Sequence, residues 1–279
     1  MSNPTRPVVV AVADKQPSAL RFAVNEALSC GASLRVVYAY GVPPRASQAI
    51  PVEASIIDEL RRLGQSVLDE ARQWVDELRT APGVEYVLSG HTPLDSLMLE
   101  ATKARCLVVG ADDVPWYDRL LRTKVAGYLA MHAPCPVIVV PELEFPTGPE
   151  GEVVLTLDGV TPASGPLHFA FDEANARDCL LHVLHATPPG TLSSDAEASR
   201  ASVSELIAGW RESYPDVAVL EANVVGDTIA VIDRATQSAE LVVIGRPHSH
   251  LIPLALVRPV ASEVLRKAQC PVAVVPVDH

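Results

Sequence analysis

The chain has 279 residues, 48% of them apolar, enough to bury a substantial core in one large domain or two ordinary ones. Its formal net charge of −12 excludes a broad basic face for DNA or RNA, and it carries no unbroken apolar run long enough to span a membrane. Five scattered cysteines with no CxxC pair, and a polar start unlike a secretion signal, lead to the expectation of a reduced, cytoplasmic setting.

Val8-Val-Val-Ala-Val-Ala13 is a continuous apolar run, the pattern of a parallel strand covered on both faces, and Asp14 ends it. A helix is predicted from about Ser18 to Cys30, with Gly31 placed to close it in a left-handed conformation. A strand (Leu34 to Tyr40), a long loop (Gly41 to Val52) and an amphipathic helix follow. In that helix Ile56, Leu60, Leu63, Val67, Leu68, Ala71, Trp74 and Leu78 recur at helical spacing. The strand Val84 to Leu88 leads to Thr92-Pro93, a capping residue and a proline suited to the first helical position. A strand ending at Gly110, a further helix and the strand Val137 to Val140 complete five strand–helix layers.

The order then repeats. Arg105-Cys-Leu-Val-Val-Gly110 matches Glu240-Leu-Val-Val-Ile-Gly245, and Ala133-Pro-Cys-Pro-Val-Ile-Val-Val-Pro141 matches Ala268-Gln-Cys-Pro-Val-Ala-Val-Val-Pro276. Cys135 and Cys270 stand 135 positions apart, as do Gly110 and Gly245, whereas Asp14 and Asp158 stand 144 apart. The second copy is therefore the shorter, losing residues in the loop after its second strand. Its strands are predicted at Val153 to Leu157, Leu180 to Leu184, Val217 to Val224, Leu241 to Ile244 and Val272 to Val275. The Pro/Gly-rich stretch Glu142 to Gly151 reads as a linker, giving two domains, 1–142 and 151–279. Strict alternation of strand and helix implies an α/β fold: two tandem doubly wound parallel sheets with right-handed crossovers.

A first strand ending in Asp, a fourth ending in Val-Val-Gly and a close of Ala-x-Cys-Pro-Val resemble the universal stress protein domain, in both copies and over nearly their whole length. The resemblance implies a five-stranded sheet of order 3-2-1-4-5, and copies associated through their last strands. Here Val137 to Val140 and Val272 to Val275 would pair within one chain, or between chains as a homodimer. It also implies a role in stress response through a small ligand or an unidentified protein partner, and in one branch of the family the binding of ATP. That branch carries Gly, two residues, Gly, nine residues, Gly, then Ser or Thr, so that main-chain amides approach the phosphates closely.

This chain keeps part of that pattern. Asp14 and Gly110 match in the first copy, but Asp113, Thr123 and Lys124 stand at the remaining positions; Asp158 and Gly245 match in the second, followed by His248, Arg258 and Pro259. Asp112 and Asp113 place carboxylates where phosphates would lie, which leads us to expect no ATP in the first copy. The second loop is more positive, and Arg246, His248 and Arg258 form a candidate anion site, or else a solvated surface paired with nearby acids. An adenine nucleotide (ATP or cyclic AMP) sensed by the second copy is the alternative function. Asp14 and Asp158 suit either ligand contact or capping of the segment that follows.

Other patterns point away from catalysis and metals. His182 and His185 fall on a strand, where a spacing of three sends side chains to opposite faces, and His248 and His250 lack a Cys or carboxylate at ligand spacing. Cys135 and Cys270 read as small buried apolar residues, and Trp74 and Trp210 as core rather than as a stacking platform. Gly159 and Gly165 read as turn residues. No phosphate loop, dinucleotide fingerprint, nucleophile elbow or base–nucleophile pair is visible. The chain is therefore expected to be non-catalytic, with neither resident cofactor nor metal, and to act through binding.

Overall fold

The computed structural model describes residues 6–13, 17–42, 54–78, 83–111, 119–142, 151–158, 163–246 and 260–277, with only the backbone described over 119–124. They divide into two compact units, Met1–Glu142 and Leu143–His279.

In unit 1 the order is β1 (Val8–Ala11), α1 (Pro17–Ser29), β2 (Leu34–Ala39), α2 (Ala54–Asp76), β3 (Val84–Ser89), α3 (Pro93–Ala101), β4 (Cys106–Gly110), α4 (Arg119–His132) and β5 (Val137–Val140). The strands are parallel in the order β3-β2-β1-β4-β5, with Val8 facing Leu34 on one side and Cys106 on the other. Val8, Val9 and Val10 are fully buried, as a central strand covered on both faces requires.

Unit 2 repeats this with β6 (Glu152–Leu157), α5 (Ser164–Arg177), β7 (Leu180–Thr187), α6 (Ser193–Ser213), β8 (Val219–Val225), α7 (Thr228–Ala235), β9 (Leu241–Gly245), α8 (Val260–Lys267) and β10 (Val272–Val275). Its parallel order is β8-β7-β6-β9-β10, and Val153 faces both Leu181 and Leu241. The 3-2-1-4-5 winding is present in each unit.

Local chemistry explains most boundaries. Thr92 caps α3, its hydroxyl oxygen accepting from Asp95 N at 3.2 Å, and Pro93 takes the first helical turn. Gly31 adopts φ +63° after α1, whereas Asp178 takes the matching left-handed place after α5 at φ 52°. Gly165 does not make a turn: it lies in the first turn of α5.

The α2 stripe departs from its expected burial. Leu68 and Ala71 are buried, but Ile56 and Leu63 are largely exposed. The helix meets β2 and β3 closely at Gly64, where a Cβ would lie 2.6 Å from Tyr38 Cδ1. Neither Trp74 nor Trp210 is fully buried. Trp210 joins α6 to α5 through an aromatic stack with Phe171, at 6.1 Å between ring centroids, and His168, at 5.6 Å.

Candidate functional site

Sheets wound in this way take ligands beyond the carboxyl ends of their strands, where the winding reverses between β1 and β4 and between β6 and β9. In unit 1 Gly110 ends β4 in a buried position, and the next residue is fixed by a bond from Ala111 N to Val140 O at 2.6 Å. On the other side Gly41 N donates to His91 O at 2.9 Å; a Cβ on Gly41 would fall 2.3 Å from the His91 carbonyl carbon, so only glycine lets β2 leave along this path.

The amino end of α1 opens on this edge and meets a carboxylate from the chain itself. Ser18 donates to Glu142 Oε1 through its hydroxyl at 2.9 Å and its backbone N–H at 3.4 Å. Glu142 Oε2 is buried without a hydrogen-bond partner among the described residues. Negative charge is favoured at the positive end of a helix, and here Glu142 supplies it.

Unit 2 fills the matching place with a carbonyl. Val277 O accepts from Gly165 N at 2.8 Å and from Ser164 Oγ at 3.1 Å, at the start of α5. Gly245 ends β9 with Pro166 nearby, and Arg246 N donates to Val275 O at 2.8 Å. Asp158 follows β6, exposed at the carboxyl edge, and its carbonyl oxygen lies 3.3 Å from Ser199 Oγ, within hydrogen-bond reach of that hydroxyl.

Beside Asp158, β7 runs three residues beyond its predicted end because the polar side chains there find partners. His185 is only 5% exposed: its Nδ1 lies 2.9 Å from Leu157 O and its Nε2 3.1 Å from Ser199 Oγ. Thr187 Oγ1 donates to Asn223 Oδ1 at 3.0 Å. His182 turns to the other face of the sheet, its Nδ1 3.2 Å from Glu152 Oε2.

Of the residues singled out in the sequence, Gly110, Asp158, Gly245 and Arg246 stand at the carboxyl edges of their units. Asp14, Asp112, Asp113, His248, His250, Arg258 and Pro259 lie outside the described residues, as do the side chains of Thr123 and Lys124. Reading the sequence missed Glu142, Ser199, Thr187 and Asn223. Glu142 looked like linker, Ser199 reaches His185 and Asp158 from α6, and Asn223 meets Thr187 from the neighbouring strand β8, so no local spacing announces these contacts.

The cysteines of the repeated close, Cys135 and Cys270, are buried, and burial pushes the Cys270 thiol up to about 12. Among the described residues no three His, Cys, Asp or Glu side chains cluster to hold a metal, and no helix is long and apolar enough to cross a membrane.

Comparison with known proteins agrees with this architecture. The Universal stress protein family matches the chain twice, over residues 4–141 and 151–276. Universal stress protein Rv2623 of Mycobacterium tuberculosis is 26% identical over 283 residues, covering 96% of this chain and 95% of that one. Universal stress protein Rv2005c of the same organism is 28% identical over 227 residues, covering 78% and 77%. The crystal structure of a universal stress protein from Archaeoglobus fulgidus matches with a TM-score of 0.74 at 14% identity, covering 97% of this chain and 96% of that one.

Proposed function

The chain belongs to the universal stress protein family, and on that premise we propose that it is a cytosolic stress-response protein that acts by binding a small ligand or a protein partner and does not turn over ATP. The observation that carries this reading is the Glu142 carboxylate at the amino end of α1, where Ser18 gives it both a hydroxyl and an amide proton. A polyphosphate approaching this edge meets a negative charge already seated, and like charges a few ångströms apart repel by about 1 kcal/mol or more.

The sequence adds weight in the same direction. Asp113, Thr123 and Lys124 replace two glycines and the hydroxyl of the ATP-binding pattern in one copy, and His248, Arg258 and Pro259 replace them in the other. Without those glycines the main-chain amides have no close path to a triphosphate. The proposal includes association through β5 and β10, within the chain or as a homodimer. Within its own unit β5 pairs with β4 and β10 with β9, and covering their other sides removes open edges.

Calorimetric titration with ATP, ADP and cyclic AMP tests the reading. Flat traces at millimolar ligand are expected. Tight ATP occupancy of both units overturns it, whereas one equivalent of ATP or cyclic AMP per chain favours a nucleotide sensor in unit 2, built on Asp158, Gly245, Arg246, His248 and Arg258.

A further inference from the structure

We propose that Ser199 of unit 2 is a nucleophile, activated by His185, that takes acyl groups from small activated esters. This goes beyond the binding role above and does not rest on it.

The arrangement begins with the pleat of β7. A period of two puts His185 and Thr187 on the same face, and Ser199 reaches that face from α6. Leu157 O can only accept, so the Nδ1 that lies 2.9 Å from it carries the proton. With that single proton on Nδ1, the imidazole form of the ring presents a bare Nε2 to Ser199 Oγ, 3.1 Å away. Nucleophile, base and a third group that fixes the base's tautomer follow one another, which is the order required for an activated serine. The competing acceptor for the serine proton, Asp158 O, is farther away at 3.3 Å.

A second observation points to chemistry rather than to a simple clamp between α6 and the sheet. Asn223 faces His185 across the β7–β8 ladder, and its Nδ2 is buried with no hydrogen-bond partner among the described residues. Thr187 Oγ1 holds the opposite end of that amide at 3.0 Å, so a donor without a partner among the described residues lies one strand over from the base, as a site that takes up a polar ligand would have it. Ser199 itself is partly exposed, so a small reagent reaches it.

In the step, Ser199 Oγ attacks the ester carbonyl carbon while its proton passes to His185 Nε2. The tetrahedral adduct collapses, the ester C–O bond breaks, and the departing alcohol takes that proton. Water repeats the sequence on the acyl-serine, so ester and water become acid and alcohol. Leu157 supplies a carbonyl where a carboxylate would better stabilise the imidazolium, and turnover is accordingly slow.

The full chain treated with p-nitrophenyl acetate tests this by peptide mass and by release of p-nitrophenol. One acetyl group per chain is expected, on the peptide carrying Ser199, with release falling about 100-fold in Ser199→Ala. No acetyl on Ser199, or equal release from Ser199→Ala, overturns the proposal. Because replacing buried His185 can unfold unit 2, its role is read in Ser199→Cys with His185 intact. That thiol should alkylate with iodoacetamide at about pH 6 at least about tenfold faster than free cysteine; an equal rate removes His185 as the base.

Discussion

Arg177→Met should be among the most damaging single changes in unit 2. Glu173 is fully buried in α5, and Arg177 Nη1 donates to its Oε2 at 2.7 Å one turn on. Arg177 Nε also lies 3.8 Å from Glu240 Oε2. Glu240 is pressed against the backbone at Gly151, where a Cβ would fall 2.1 Å from its Cγ, so it has little room to swing away. Removing the guanidinium takes from both carboxylates the cation they lie against, and a buried ion pair broken in this way costs about 3–5 kcal/mol. Arg177 is 11% exposed, which admits some water and favours the lower half of that range. With a urea slope of about 2 kcal/mol per molar, the midpoint should fall by roughly 1.5–2 M. Replacing Trp74 and Trp116 by Phe leaves Trp210 as the single indole, stacked on Phe171 of α5, so that its fluorescence follows unit 2. The double variant Glu173→Leu/Arg177→Met should recover part of the loss, because the buried Glu173–Arg177 pair is replaced by apolar volume while Glu240 keeps its charge. A midpoint shift below about 0.3 M in Arg177→Met would refute the reasoning.

Gly64→Ala should destabilise unit 1 by about 1 kcal/mol in urea titration, since the Tyr38 contact at 2.6 Å outweighs the better helix propensity of alanine. Asp178→Gly should stabilise unit 2 by about 0.5–1 kcal/mol, seen as a rise in melting temperature, because glycine reaches φ 52° without strain. Cys270 holds its proton to about pH 12 when folded, whereas its ordinary value is 9.0, so the unfolded thiol ionises first. Its contribution is complete below pH 9 and is lost as pH rises from there toward about 12. Any melting-temperature advantage of wild type over Cys270→Ala should therefore shrink as pH rises above 9, and native Cys270 should resist thiol reagents until the protein unfolds.

The strands were legible because each central one is a run of β-branched and other apolar residues with no polar interruption, as in Val8 to Val10 and Leu241 to Ile244. The repeat then showed two copies, the family resemblance implied their strand order, and Gly31 and Thr92-Pro93 carried enough local chemistry to mark helix ends. The edge beyond the strands was less readable. Glu142 bonds to Ser18 across 124 positions, and Ser199 meets His185 only after the chain has turned into α6. Periodicity describes which face a residue takes, not which residue of another element stands opposite. The same limit holds for α2: helical spacing identified its apolar stripe, but not that Leu68 and Ala71 would be buried while Ile56 and Leu63 stay largely exposed.

The bond between Ser18 and Glu142 ties the last residue of unit 1 to its opening helix, and Val277 does the same for Gly165 in unit 2. Each half is buckled shut by its own tail. Trimming a fragment back to Pro141, or the chain to Pro276, would undo the buckle while sparing every strand, so the residues just past the final strands belong to the folded body and not to spare length.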